Sequence, residues 1–350
     1  MEGWILDRDF TTVGIVDAFD SFIWTDRFIG YGDFEIYMPF GYAAGHSFSL
    51  ENYLALKGSE RLMIIEQMET QTNPDQGTKL IITGRSLESM LERRIIWGQR
   101  DLVGNFQNGI KDLLDENAIN PSIADRKVPG LIFKASTDPY ITNLTINTRF
   151  IGDNLYDAIF VLCEDRGLGF RILPDTNTGE FVFELYRGSD RSYEQEILPY
   201  VTFSPKFENL LSSNFLESQR ALKTSALVGG EGEWPDKTTV EVGWGSGLDR
   251  REIFIEASGS SRDLPEEEYL DLLAAKGYEE LAKTSAVEMF EGEIDATRQF
   301  VYGRDFFIGD IVQVVNEYGM EARSRVSELI QTHNVEGESF VPTFTTVQDS

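Results

Sequence analysis

The sequence predicts an α+β protein, mainly β, built from more than one domain. Apolar and polar residues alternate strictly through Asp33, Phe34, Glu35, Ile36, Tyr37 and Met38 until Pro39 stops them, which is the period-two signature of a strand with one buried face. Strand signals of this kind recur toward both ends of the chain, while helical spacing is concentrated between them. With 350 residues the chain is also longer than a single hydrophobic core usually grows.

Looser alternation over residues 4–16 and 22–28 precedes the Phe34 strand. Residues 63–71 and 78–83 flank Asn73, Pro74, Asp75, Gln76 and Gly77, a turn-forming cluster, and predict a hairpin. Ser86 is placed to cap a short helix, because Leu87, Met90, Leu91 and Ile95 follow at helical spacing. Strands closed by one helix predict a small barrel or sandwich. The character changes at Trp97 and Gly98. Phe106, Ile110, Leu113 and Leu114 mark one amphipathic helix; Leu155, Ile159, Leu162 and Cys163 mark another, opened by Asp153 or Asn154 and closed by Gly167. A hairpin follows, with Phe170 and Ile172 facing Phe181, Phe183 and Leu185.

From Tyr200 the strand signal returns over 201–203 and 221–228, is interrupted at Gly229, Gly230, Glu231 and Gly232, and resumes over 251–255. A helix begins at Pro265, with Glu266, Glu267 and Glu268 in its first turn, where carboxylates favour the positive end of the helix dipole. Residues 300–330 read as strand, a Gly309–Asp310 turn, a strand over 311–315, a turn at 316–319 and a strand over 322–330.

Composition narrows the function. There are 31 Lys and Arg against 59 Asp and Glu, a formal charge of −28, so phosphate backbones are repelled and ordinary nucleic-acid binding is excluded. A hydrophobic fraction of 41% puts that acidity on a folded protein and not on a disordered tail. The start lacks a basic segment and apolar run, and the purest apolar run, residues 158–163, is far too short to span a bilayer, so a soluble cytosolic product is expected.

Catalytic signals are sparse. One Cys and two His exclude a disulfide scaffold and leave little for a zinc site or triad. Cys163 lies on its helix's apolar stripe and reads as a buried packing residue. His46, in a Gly/Ala/Ser loop, and His333, in a polar tail, read as solvent-exposed. Asp175, Asn177 and Gly179 resemble the start of a calcium loop, but Tyr186 occupies the place of the required Glu, and a hairpin turn is expected. Gly243, Gly245 and Gly247 follow only a short strand signal and precede Asp249, so a glycine-rich strand junction is expected instead of a phosphate cradle. Among so many carboxylates, pairs at a glycosidase spacing arise by abundance alone. No catalytic residue, cofactor or metal is expected.

Three stretches carry more information: residues 84–96 from Gly84-Arg85-Ser86-Leu87-Glu88 to Arg93-Arg94-Ile95-Ile96, residues 247–254 (Gly247-Leu248-Asp249-Arg250-Arg251-Glu252-Ile253-Phe254), and residues 305–312 (Asp305-Phe306-Phe307-Ile308-Gly309-Asp310-Ile311-Val312). With Gly32-Asp33-Phe34-Glu35-Ile36-Tyr37-Met38-Pro39 they resemble, in order and over most of the chain, the tail hub proteins of long-tailed siphophages. The resemblance implies two tube-type β-barrels per chain with α+β modules between them: a first barrel over 1–96, a module over 97–198, a second barrel from 199–232 with 297–350, and a second module over 233–296. It implies a homotrimeric ring in the virion tail tip, where three chains present six similar barrels, joining the six-fold tail or distal-tail ring to a three-fold tip and providing or closing the DNA channel. Implied partners are the distal tail ring protein, the tape measure protein and a tip or receptor-binding protein, with DNA only in transit.

The same stretches supply candidate interface residues: Arg85, Arg93, Arg94, Arg250, Arg251, Phe307 and Asp310. The arginines suit either ion pairs within the chain, worth little each, or bidentate contacts to a neighbouring subunit. Gly84 is expected to let its strand turn into the helix. Phe306, Phe307 and Ile308 suit a core or an interface. The chain ends about 20 residues beyond the last predicted strand, which argues against an enzymatic extension. Two rival functions are a host-surface carbohydrate-degrading enzyme and a receptor-binding tail protein.

Overall fold

A computed structural model describes residues 1–41, 47–73, 77–257, 265–284, 287–294 and 299–347. His46 and most of the 73–77 turn lie outside them. The chain divides into two compact units, one of residues 1–213 with 290–350 and one of residues 214–289.

The first unit opens with strands β1 (Gly3–Leu6), β2 (Thr12–Val16), β3 (Ser21–Arg27), β4 (Asp33–Pro39), β5 (Tyr53–Leu56), β6 (Leu62–Asn73) and β7 (Gly77–Ser86). In β4 the alternation holds: Phe34, Ile36 and Met38 are buried between half-buried neighbours. With Phe22, Trp24, Leu54 and Ile82 they belong to a core supplied entirely by these first strands and their loops. The predicted helix after β7 is a 3-10 turn, Leu87–Arg93, whose Leu87, Met90 and Leu91 are buried while Ile95 is exposed. Ser86 does not cap it; its hydroxyl accepts from the Gly32 amide at 2.8 Å and donates to Glu88. Gly84 is not a turning point either. It pairs inside β7 with Phe34, and an added Cβ would lie 1.8 Å from the Ile64 carbonyl oxygen.

Next come β8 (Gln99–Asn105), α1 (Phe106–Leu114), β9 (Leu131–Lys134), α2 (Pro139–Asn143), β10 (Thr145–Ile151), α3 (Leu155–Glu164), β11 (Gly169–Asp175) and β12 (Glu180–Tyr186). Helix α1 buries Phe106, Ile110, Leu113 and Leu114, and Asn154 caps α3 by accepting from the Tyr156 amide at 2.9 Å. The hairpin of β11 and β12 pairs Phe170 with Leu185 and Ile172 with Phe183. Helices, hairpin and the outer face of the first strands share one large core.

After β13 (Thr202–Phe203) and β14 (Leu210–Ser218), the second unit places β15 (Ser225–Gly229), β16 (Thr239–Gly243) and β17 (Glu252–Glu256) in a small sheet beside α4 (Glu266–Lys283). The 221–228 signal, expected to belong to the second barrel, therefore supplies β15 here, because Ala226 and Val228 bury against Tyr269 and Leu273 of α4. Strand β18 (Val287–Ile294) leads back toward the first unit.

The chain then adds β19 (Ile311–Val315), β20 (Glu321–Asn334) and β21 (Gly337–Thr346). The final hairpin extends the predicted last strand, so His333 sits in β20, accepting or donating at 2.9 Å with Glu338, and not in an exposed tail. Strands run β21-β20-β3-β4-β7-β6-β5-β1-β2 through one sheet. One edge of β20 serves both ends of the chain: Arg325 to Glu321 pair with β19, and Glu328 to Asn334 pair with β3. At the junction Gly309 and Phe28 donate backbone hydrogen bonds of 2.8 and 2.9 Å to Val326 and Ser327. Gly309 has φ +92°, and a Cβ there would lie 2.4 Å from the Phe28 ring, so glycine is required twice over. Among the described residues no sheet closes into a barrel.

Phe34→Ala should cost about 3–5 kcal/mol, as for other buried aromatics, while Glu35→Ala should cost much less. Denaturant melts of the two variants check this, and equal losses would refute the assigned faces.

Candidate functional site

The candidate residues separate into four environments. On β7, Arg85 donates to both Glu66 oxygens at 2.6 and 3.1 Å and to Glu92 at 2.7 Å, with its guanidinium 4.6 Å from the centre of the Tyr31 ring. The hydrogen bonds to Glu66 above all hold its pKa above the ordinary value, against partial burial. Arg93 is bidentate to Glu51 at 2.8 and 3.1 Å. In the second unit Arg250 bridges Glu241 at 2.7 Å and Glu252 at 2.5 Å, while Arg251 donates to the carbonyl and amide oxygens of Gln219. Arg85, Arg93 and Arg250 thus meet carboxylates of their own chain.

Arg94 differs. Its Nε donates to the Arg126 carbonyl at 2.5 Å, and burial together with the Arg126 and Arg93 cations pushes its pKa down. Arg126 in turn stacks 4.7 Å over the Trp97 ring and donates at 2.6 Å to the Ile95 carbonyl. Segments 94–97 and 123–127 are thereby tied into one basic and aromatic patch, on which Trp97 is 62% exposed.

Phe306 and Ile308 are core and Phe307 is 45% exposed. Asp310 is only 3% exposed and acts within the chain: it accepts from the Ser189 amide at 2.7 Å, Arg191 at 2.8 Å and the Phe307 amide at 3.1 Å. It anchors the start of a loop over 190–200 that sequence reasoning passed over. Its only sequence trace is the apolar run Ile197, Leu198, Pro199 and Tyr200 among charged residues.

A buried cluster was likewise invisible in the sequence. Arg61 lies 3.5 Å from Glu88 and 3.7 Å from Asp26, and donates to the Arg27 carbonyl at 2.8 Å; Glu88 also accepts from the Ile172 amide at 2.9 Å. Burial opposes the Arg61 charge, but Glu88, Tyr186 and Asp26 outweigh it and hold its pKa above the ordinary value. Burial pushes the Asp26 carboxyl up, against Arg61 and the Trp24 indole. This cluster joins β3, the 3-10 turn and β11, and each charged member lies beside one of opposite sign.

Elsewhere, Asp175 accepts from the Asn177 amide at 3.0 Å in a hairpin turn. Gly243, Gly245 and Gly247 all have positive φ at the junction after β16. Among the described residues there is no cluster of His, Cys, Asp and Glu able to hold a metal, and no helix is long and apolar enough to cross a membrane.

This architecture is that of phage tail proteins. The tail protein from Neisseria meningitidis MC58 matches with a TM-score of 0.61 at 15% identity over 98% of this chain and 96% of its own. The 43 kDa tail protein of prophage MuSo2 from Shewanella oneidensis matches with 0.63 at 14% identity over 99% and 98%. Prophage tail protein gp18 from Listeria monocytogenes EGD-e matches with 0.55 at 13% identity over 100% and 96%. At these identities the likeness establishes the fold. The chain belongs to the Siphovirus ReqiPepy6 Gp37-like protein family, whose model matches residues 2–344. It is a siphophage tail protein, placed in the tail of the virion. Among curated proteins none matches its sequence.

Removing Glu88 should leave the buried Arg61 with one carboxylate, Asp26, in place of two, so Glu88→Ala should cost about 3–5 kcal/mol, and Glu88→Gln, which keeps an acceptor for Ile172, should cost less. Chemical denaturation measures both; a neutral Glu88→Ala would refute the cluster's structural role. The Cys163 thiol is fully buried and burial pushes its pKa up, so iodoacetamide should alkylate it only as the protein unfolds. A mass increment of one adduct in native buffer would contradict this.

Proposed function

We propose that the chain is a structural hub of the siphophage tail tip, a homotrimeric ring that joins the six-fold tail or distal-tail ring to the tip and provides or closes the DNA channel. The observation that carries this reading is the shared edge of β20, which sets N-terminal and C-terminal strand sets side by side in one chain. We read these sets as two tube-type barrel units, so that three chains present six comparable units to a six-fold ring. A closed ring would also cover sheet edges that otherwise invite uncontrolled pairing.

The role is read as non-enzymatic. Support comes from the arginine-rich stretch over 84–96, whose Arg85 and Arg93 are engaged in ion pairs with Glu51, Glu66 and Glu92. The distal tail ring protein, tape measure protein and a tip or receptor-binding protein are the proposed neighbours. The acidic character, −28 per chain, suits a channel through which duplex DNA passes without adhesion.

Light scattering should give the mass of three 39.6 kDa chains, alone or with the ring partner, and images of the virion tip should show three-fold symmetry at this position. Any other symmetry in the virion overturns the reading. The purified hub should not retain duplex DNA at physiological salt and should not hydrolyse cell-wall or capsule polysaccharide.

A further inference from the structure

Two features of the first unit complement each other. The loop over 190–200 is held stiff by its own polar groups. The Gln195 amide oxygen accepts from the Ile197 and Leu198 amides at 2.8 and 2.6 Å, and its nitrogen donates to the Leu198 carbonyl at 2.9 Å. The base is fixed by Arg191 on Asp310 and by Arg323, 3.0 Å from Asp190 and 2.9 Å from Glu194. On this frame Ile197 is 91% exposed, beside Leu198 and Tyr200, and Glu196 gives the tip negative charge. A rigid projection that exposes an aliphatic knob loses little further entropy on docking.

The second feature is the patch of Arg94, Ile95, Trp97, Ile123, Arg126 and Lys127. In a chain with nearly twice as many acidic as basic residues, no carboxylate lies within ion-pair distance of Arg94, Arg126 or Lys127 among the described residues. Ile95, Trp97 and Ile123 are exposed on the same two segments as these cations, where Asp125 is the one acid. The patch therefore offers an apolar floor with a basic rim, and the loop an apolar tip with an acidic rim.

We propose that the 190–200 loop of one chain docks on the Trp97 patch of a second copy, with Ile197 against Ile95, Trp97 and Ile123 and with Glu196 facing Arg94, Arg126 and Lys127. Patch and loop are different surfaces, so the contact is head-to-tail, the type that closes into a ring when the rotation between copies allows. Desolvated charge complementarity fixes the register, and the aliphatic anchor supplies the buried centre. The inference rests on the trimeric reading and names the contact that makes it.

The test compares four full-length chains by light scattering across a dilution series: wild type, Lys127→Glu, Glu196→Lys, and both changes together. Each single variant should dissociate at a concentration at least tenfold higher than wild type, and the double variant should recover most of that loss. Single variants that assemble like wild type, or a double variant without recovery, overturn the docking while leaving a trimeric wild type, and with it the hub reading, intact. A wild type that never forms a trimer, even with the ring partner, removes both. Should a charge variant misfold, Ile123→Cys with Ile197→Cys decides: oxidised glutathione should link chains into covalent multimers, which neither single variant forms. Absence of links overturns the contact.

Discussion

The first unit depends on the edge of β20 being long enough for two partners. Strand β19 takes one half and β3 the other, and the break between them is filled by backbone hydrogen bonds from Gly309 and Phe28. The close approach leaves no room for side chains: Gly309 meets the Phe28 ring, and a Cβ on Gly188 would lie 1.9 Å from the Gly309 oxygen. Because β3 continues into β4 and β7, an error at this seam would misplace the first strands of the sheet against the last. The Tyr186 hydroxyl, donating to the Phe28 carbonyl at 3.1 Å, ties the α+β module to the same point.

A few ångströms along the chain, the buried charges of Arg61, Asp26 and Glu88 work differently. Hydrophobic contact would bury as much area without specifying which elements meet. A buried guanidinium demands its partners, because each one lost leaves a charge in a medium that solvates it poorly. The cluster thus sets β3, the 3-10 turn and β11 in one arrangement. The exposed arginines of the first strands carry less weight, since half-solvated ion pairs contribute little stability each. Their effect is to consume neighbouring carboxylates, and this leaves the Trp97 patch as a locally basic surface in an acidic molecule.

Solved tail proteins share this fold at identities of 13–15%. Such divergence fits a molecule whose requirements are geometric: alternating burial, a few glycines where backbones touch, and capped helices in the module. None of these prescribes a particular sequence beyond those glycines and the burial pattern. A tail component under such constraints keeps its shape while its surface changes with its neighbours.

The sequence by itself determined the strands with one buried face, helices α1 and α3, the β11–β12 hairpin and the acidic character, because each follows from local spacing or composition. It also carried the family resemblance through short stretches, among them Gly84-Arg85 and Gly309-Asp310. Only the tertiary structure decided what those residues do. Gly84 is demanded by the Ile64 carbonyl across the sheet, Gly309 by the Phe28 ring, and Asp310 by a loop more than a hundred residues earlier in the chain. It decided likewise that residues 225–229 join α4 and that His333 lies within a strand. The reason is the same in every case: these assignments depend on partners distant in sequence, and neither periodicity nor composition records which distant segment arrives.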